Sequence, residues 1–147
     1  MSEERASAGG SGSPVRVGLI GYGLAGAAFH APLIAAIPGM RLAAVVTADP
    51  ERSASARRDH PDAVVVPSAD ALWERASDLD LVVVATPNRT HVPLALSALE
   101  AGLPVVVDKP FAATAADAMR VVEAARQRGL LLTVYQNRRW DGDFLTV

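Results

Sequence analysis

The sequence predicts an α/β protein with a doubly wound parallel sheet, and three observations carry that reading. Six short apolar runs alternate with longer amphipathic segments through most of the 147 residues. The runs are unbroken rather than alternating in polarity, as expected for parallel strands covered by helices on both faces. A glycine loop stands between the first run and the first helical segment, where a dinucleotide-binding (Rossmann) fold places its phosphate turn.

The elements follow in order. Residues 15–20 form the first apolar run, and residues 25–37 carry helical spacing that stops before Pro38-Gly39. The second run is 42–46, and a helix over 50–59 follows Asp49 as N-cap with Pro50 at its first position. A third run at 63–66 leads to a short helix over 68–77, and a fourth covers 81–85. A helix over 93–101 ends at Gly102, the fifth run is 105–107, and Thr114 caps a helix over 114–128 that ends at Gly129. The sixth run is 130–134. Strand–helix–strand units of this length require right-handed crossovers and hence a doubly wound sheet.

Composition excludes several classes of function. Fourteen basic against sixteen acidic residues leave a net charge of −2 and a pI near 5.9, unlike a protein that lives on phosphate attraction to nucleic acid. With no cysteine there is no disulfide framework, thiolate metal site or cysteine nucleophile. The three histidines, at 30, 60 and 91, show no metal-ligand spacing. Thirteen of the basic residues are arginine, and Lys109 is the single lysine.

Residues 1–14 are small and polar and read as a disordered leader, with no apolar core of a signal peptide. No run reaches the roughly 18 apolar residues that span a bilayer. The expected location is the cytoplasm, and the Asn88-Arg89-Thr90 sequon is a chance match there. The dinucleotide-binding domain is expected over 15–136. Residues 137–147, with Phe144, Leu145 and Val147 at helical spacing, are expected to begin a second, truncated domain.

The loop Gly21-Tyr22-Gly23-Leu24-Ala25-Gly26 has the form G-x-G-x-x-G. Its three glycines serve the tight turn, the approach to a pyrophosphate and the close packing of helix on strand, while the helix N-terminus faces the phosphates. A methyltransferase loop lacks the third glycine at this offset. About 20 residues on, the second strand ends at Thr47, where an NAD site typically carries Asp or Glu. An uncharged Thr47 with Arg52, Arg57 and Arg58 nearby favours NADP over NAD.

Three more polar stretches stand at strand ends, where ligands bind in open α/β sheets. They are Thr86-Pro87-Asn88-Arg89-Thr90-His91, Asp108-Lys109-Pro110 and Asn137-Arg138-Arg139-Trp140. With the glycine loop, these stretches resemble the glucose-fructose oxidoreductase, inositol 2-dehydrogenase and rhizopine-catabolism (Gfo/Idh/MocA) family from Val15 to Val147. Phe29-His30-Ala31-Pro32-Leu33 and the stretch from Asn137 to Leu145 resemble its NADP-dependent scyllo-inositol dehydrogenase subgroup. Asp108 stands where many members have glutamate.

The resemblance implies hydride transfer between NAD(P) and a hydroxyl of a sugar or polyol, with Lys109 as the catalytic residue. Lysine can hold the reacting oxygen and shift its proton affinity readily when desolvated. Thr86, Pro87 and Asn88 are expected to wall the cofactor. Asp108 is expected either to pair with Lys109 or to contact the ribose, His91 to bind cofactor or to pack, and His30 to face substrate or to be structural. Asn137 and Arg138 are expected either to contact cofactor or substrate or to be ordinary polar residues at a domain junction. The family's C-terminal α+β domain, absent from these residues, implies a catalytic His and Asp there and a homo-oligomer interface. No nucleic-acid or membrane partner is expected. The other reading is a non-catalytic NAD(P)-binding sensor module.

Overall fold

A computed structural model describes residues 12–140. Most of the expected leader and the residues beyond Trp140, including Phe144, Leu145 and Val147, lie outside the described residues.

The described chain is a six-stranded parallel sheet in the order β3-β2-β1-β4-β5-β6. Its strands are β1 (Val15–Ile20), β2 (Met40–Val46), β3 (Val64–Val66), β4 (Leu81–Val84), β5 (Val105–Asp108) and β6 (Leu132–Tyr135). Between them run α1 (Ala31–Ala36), α2 (Pro50–Asp59), α3 (Ala69–Trp73), α4 (His91–Glu100) and α5 (Ala115–Arg128). The caps come from the residues the sequence offers. Asp49 accepts from the Arg52 N–H, Ser68 from Ala71 and Thr114 from Asp117.

Alternate residues of each strand feed two aliphatic cores. Ile20, Val82, Val84, Val105 and Val107 pack with Leu72, Leu99 and Val121 on one face. Val17, Leu19, Val45 and Val83 pack with Ala31, Ile34 and Ala56 on the other. Each fully buried Val or Leu contributes about 1.5–3 kcal/mol, so these unbroken runs hold the sheet without aromatic bulk.

The register aligns the carboxyl ends. Ile20 lies opposite both Val46 and Val84, Val84 opposite Val107, and Asp108 opposite Tyr135. The residues that follow, Thr47, Gly21, Ala85 and Lys109, therefore emerge along one edge, with the order of connections reversing between β1 and β4.

The single helix expected over 25–37 is not what forms. Residues Gly26–His30 make a wide π turn, closed by an Ala31 N–H to Gly26 carbonyl bond, before α1 begins. Pro32 explains the change: it has no N–H for the preceding turn and its ring crowds the carbonyl four residues back, so the turn ahead widens. Ile37 is already extended. The helix expected over 68–77 is likewise shorter, α3 giving way to a 3₁₀ turn over Ala76–Asp78. The fourth helix begins at His91, two residues ahead of the expected Pro93.

Candidate cofactor and catalytic site

The glycine loop turns where β1 ends. Gly21 has φ of +101°, and a Cβ there would stand 2.5 Å from the Ala85 carbonyl oxygen. Gly26 is tighter still, with a Cβ falling 2.0 Å from the carbonyl oxygen of Gly21. Gly23 is different, because the nearest atom to its Cβ would be an Arg52 guanidinium nitrogen at 3.7 Å. Two glycines of the motif thus close the turn, and the third leaves open space beside a cation.

That space is a cleft of about 460 Å³ between the ends of β1, β2 and β4. Gly21, Gly23, Leu24, Ala25, Thr47, Arg52, Thr86 and Pro87 line it, and Arg52 is the only charged side chain among its lining residues. The first N–H groups of the helical stretch opening at Leu24 face the same end. A phosphate-bearing dinucleotide fits this lining: an open glycine, helix N–H donors and one guanidinium, with no carboxylate among them.

The strand-end residues divide in role. Thr47 is buried; its hydroxyl accepts the Asp49 N–H at 3.3 Å, so it tightens the β2–α2 turn. Asp49 caps α2 and holds Arg52 at its third position. The Thr86 and Thr90 hydroxyls lie 2.7 Å apart, and Thr90 Oγ1 is 2.7 Å from the Pro87 carbonyl oxygen. This mesh braces the 3₁₀ turn Asn88–Thr90, leaving Asn88 exposed beyond the cleft lining.

Four of the expected contact residues are engaged within the protein, although Tyr22 also borders the cleft. The Tyr22 ring, 4% exposed, turns into the core, edge-on to His60 and 3.4 Å from an Asp59 oxygen. Burial and then the Asp59 carboxylate raise its hydroxyl pKa. His91 is 1% exposed, its Nδ1 2.8 Å from the Pro110 carbonyl oxygen and its Nε2 2.7 Å from that of Thr86. With both nitrogens spent on backbone, the ring has none to offer a cofactor.

Asp108 is also engaged within the protein. Its Oδ1 accepts the Lys109 backbone N–H at 2.8 Å, and its Oδ2 lies 3.3 Å from His30 Nε2. The carboxylate therefore meets the lysine main chain and a buried histidine rather than the lysine ammonium. Asn137 stands beyond β6, away from the cleft, with its Oδ1 buried and without a hydrogen-bond partner among the described residues. It borders a separate hollow with Val106, Thr133 and Tyr135.

Lys109 is exposed at the carboxyl end of β5, followed by a cis peptide to Pro110. Its amine is free to meet a ligand lying across the strand ends, while its backbone is held through Asp108 and, one residue on, through His91. His30 was legible only as one of two alternatives. It is buried, its ring tilted by 57° against Tyr135 with the centroids 4.6 Å apart, and no hydrogen bond satisfies its Nε2 among the described residues. Tyr135 gave no signal in the sequence, because a tyrosine ending a strand is ordinary until its neighbour across the sheet is known.

Comparison with known proteins bears on the whole arrangement. Residues 15–136 match the profile of the oxidoreductase family with an NAD-binding Rossmann fold. The chain belongs to the Gfo/Idh/MocA oxidoreductase family. It is 48% identical over 133 residues to the Escherichia coli oxidoreductase YdgJ, covering 90% of this chain and 37% of that one. It is 38% identical over 133 residues to the NADP⁺-dependent scyllo-inositol 2-dehydrogenase IolW of Bacillus subtilis, covering 90% and 36%. A crystal structure of an oxidoreductase from Klebsiella pneumoniae superposes with a TM-score of 0.83 at 46% identity, over 91% of this chain and 38% of that chain. The chain thus spans little more than a third of the family relatives it matches. Among the described residues no helix is long and apolar enough to cross a membrane.

Proposed function

We propose that residues 15–136 are the nucleotide half of an NADP-dependent dehydrogenase that oxidises a hydroxyl of a sugar or polyol. The observation that carries this reading is Lys109, exposed and backbone-tethered at the carboxyl end of β5, on the same sheet edge as the glycine-loop cleft. In this reading a substrate half begins near Asn137 and supplies the rest of the pocket and the contacts of a homo-oligomer. A bound dinucleotide would supply the hydride acceptor.

The chain's own residues divide the remaining work. The Gly21–Gly26 turn and the helix N-terminus hold the pyrophosphate, and Thr86 and Pro87 wall the sugar side. Arg52, over Gly23, meets the 2′-phosphate, which an uncharged Thr47 does not repel. Lys109 hydrogen-bonds the substrate oxygen and takes its proton as the carbon gives up hydride. The similarity to IolW supports both the NADP preference and a polyol substrate.

The test is in two stages: titrating the chain with NADPH and NADH by cofactor fluorescence, then assaying the full-length protein with inositols and aldoses. Tighter NADPH binding and polyol turnover are expected. Binding without turnover on either substrate class would instead make the domain a sensor.

A further inference from the structure

Phe29 and His30 divide between outside and inside against their chemistry. Phe29 is 50% exposed, while His30, the next residue, is 5% exposed. His30 ends the π turn that opens at Gly26, and turns of this kind gather at functional positions. Burying an imidazole where a phenyl ring could go costs stability unless its nitrogens are satisfied. His30 Nε2 is buried and makes no hydrogen bond among the described residues. It does come within 3.3 Å of Asp108 Oδ2, and its ring lies against Tyr135, the residue opposite Asp108 on β6.

Asp108 is the group through which this placing acts. Its oxygens have different partners: Oδ1 accepts the Lys109 backbone N–H at 2.8 Å, and Oδ2 lies toward His30. A carboxylate only accepts, so a histidine with hydrogen on Nε2 attracts it whatever charge the ring carries. The competing partner is the ammonium of Lys109, the next residue in the chain. With His30 on the inner side, Asp108 keeps a side chain only 15% exposed and makes no ion pair with that ammonium among the described residues.

We propose that His30 is a positioning residue that draws the Asp108 carboxylate inward, off the Lys109 ammonium, so that Asp108 tethers the lysine main chain and leaves its amine for a substrate. The consequence for turnover rests on the proposed role of Lys109. The orientation of Asp108 does not, and the test keeps the two apart.

Because Lys109 is the only lysine, acylation of one identified peptide reads its amine directly. A carboxylate turned onto that ammonium favours its charged, unreactive form. His30→Phe keeps a ring against Tyr135 and removes the N–H, so it should slow Lys109 acylation at pH 8 at least threefold. His30→Gln, whose amide N–H takes the place of Nε2, should stay within twofold of the parent. Adding Asp108→Asn to His30→Phe keeps an acceptor for the Lys109 N–H without the charge, and should bring the rate back to within twofold of the parent. A ring that only fills space gives the opposite order, with Phe near the parent and Gln the slower. That order, or no recovery in the double variant, overturns the proposal. If His30→Phe does not fold, His30→Leu carries the same expectations. In the full-length protein, His30→Phe should cut kcat at least tenfold and His30→Gln less than threefold, while the NADPH Kd stays within twofold. Equal losses in kcat and Kd would overturn it. If unmodified protein turns over no polyol, the proposed function fails, and the acylation rates still decide the role of His30.

Discussion

Gly26 packs against Gly21 so closely that a methyl group on the first would lie 2.0 Å from the carbonyl oxygen of the second. Backbone cannot retreat as a flexible side chain can, so Gly26→Ala should cost about 3 kcal/mol, a fall in Tm on the order of 10 °C. Gly23→Ala meets nothing nearer than 3.7 Å and should melt within about 2 °C of the parent while losing NADPH affinity. Thermal melts beside cofactor titrations would separate the two, and equal melting points would refute the division between turn and cradle.

Arg52 is expected to carry the cofactor preference. Removing one guanidinium from a phosphate costs about 1.5 kcal/mol, roughly tenfold in Kd. Arg52→Ala should weaken NADPH binding by that factor and leave NADH nearly unchanged. An equal loss for both would instead place Arg52 on the shared pyrophosphate.

For Lys109, the expected outcome is a split between binding and chemistry. Lys109→Arg in the full-length protein should keep NADPH Kd within about twofold while kcat falls by roughly 10²–10⁴, because a guanidinium cannot give up its proton at working pH. Turnover equal to that of the parent would remove lysine from the mechanism.

The opposite edge of the sheet offers a pH test. Asp80 accepts three hydrogen bonds from Arg16, two from the guanidinium and one from its backbone N–H, and these hold its pKa at about 2, below the usual 3.8. A carboxylate whose folded pKa is depressed stabilises above its unfolded value and loses that contribution as the pH falls through the folded one. The effect is therefore complete above about pH 4 and lost by about pH 2. Both side chains are more than a third exposed, so solvent screening limits it to about 1 kcal/mol or less. Asp80→Asn should melt slightly lower at pH 7 and match the parent near pH 2; a constant difference across that window would contradict the assignment.

Much of the fold was legible because burial on both faces writes itself as unbroken aliphatic runs. All six strands fall on their expected runs, shifted at most by two residues. The caps at Asp49, Ser68 and Thr114 follow from side chains that compete for backbone N–H groups. The π turn was not legible, since apolar spacing reads alike for nearby helical periods and Pro32 can sit in a first turn without distorting it. Within the site, the glycine loop, Thr86 and Arg52 could be placed because their strands end together. The inward turn of His91 and Asp108 could not, because it depends on the Pro110 carbonyl, 19 residues from His91, and on His30, 78 residues from Asp108.

The Arg16–Asp80 pair ties the amino ends of β1 and β4, whereas every candidate ligand contact hangs from the carboxyl ends. A strand of six residues separates the two by about 20 Å, beyond a screened Coulomb interaction in physiological salt. One rim of this sheet can therefore be rewritten for solubility, pH tolerance or attachment to a surface, with the reactive rim insulated from the change by the width of the sheet.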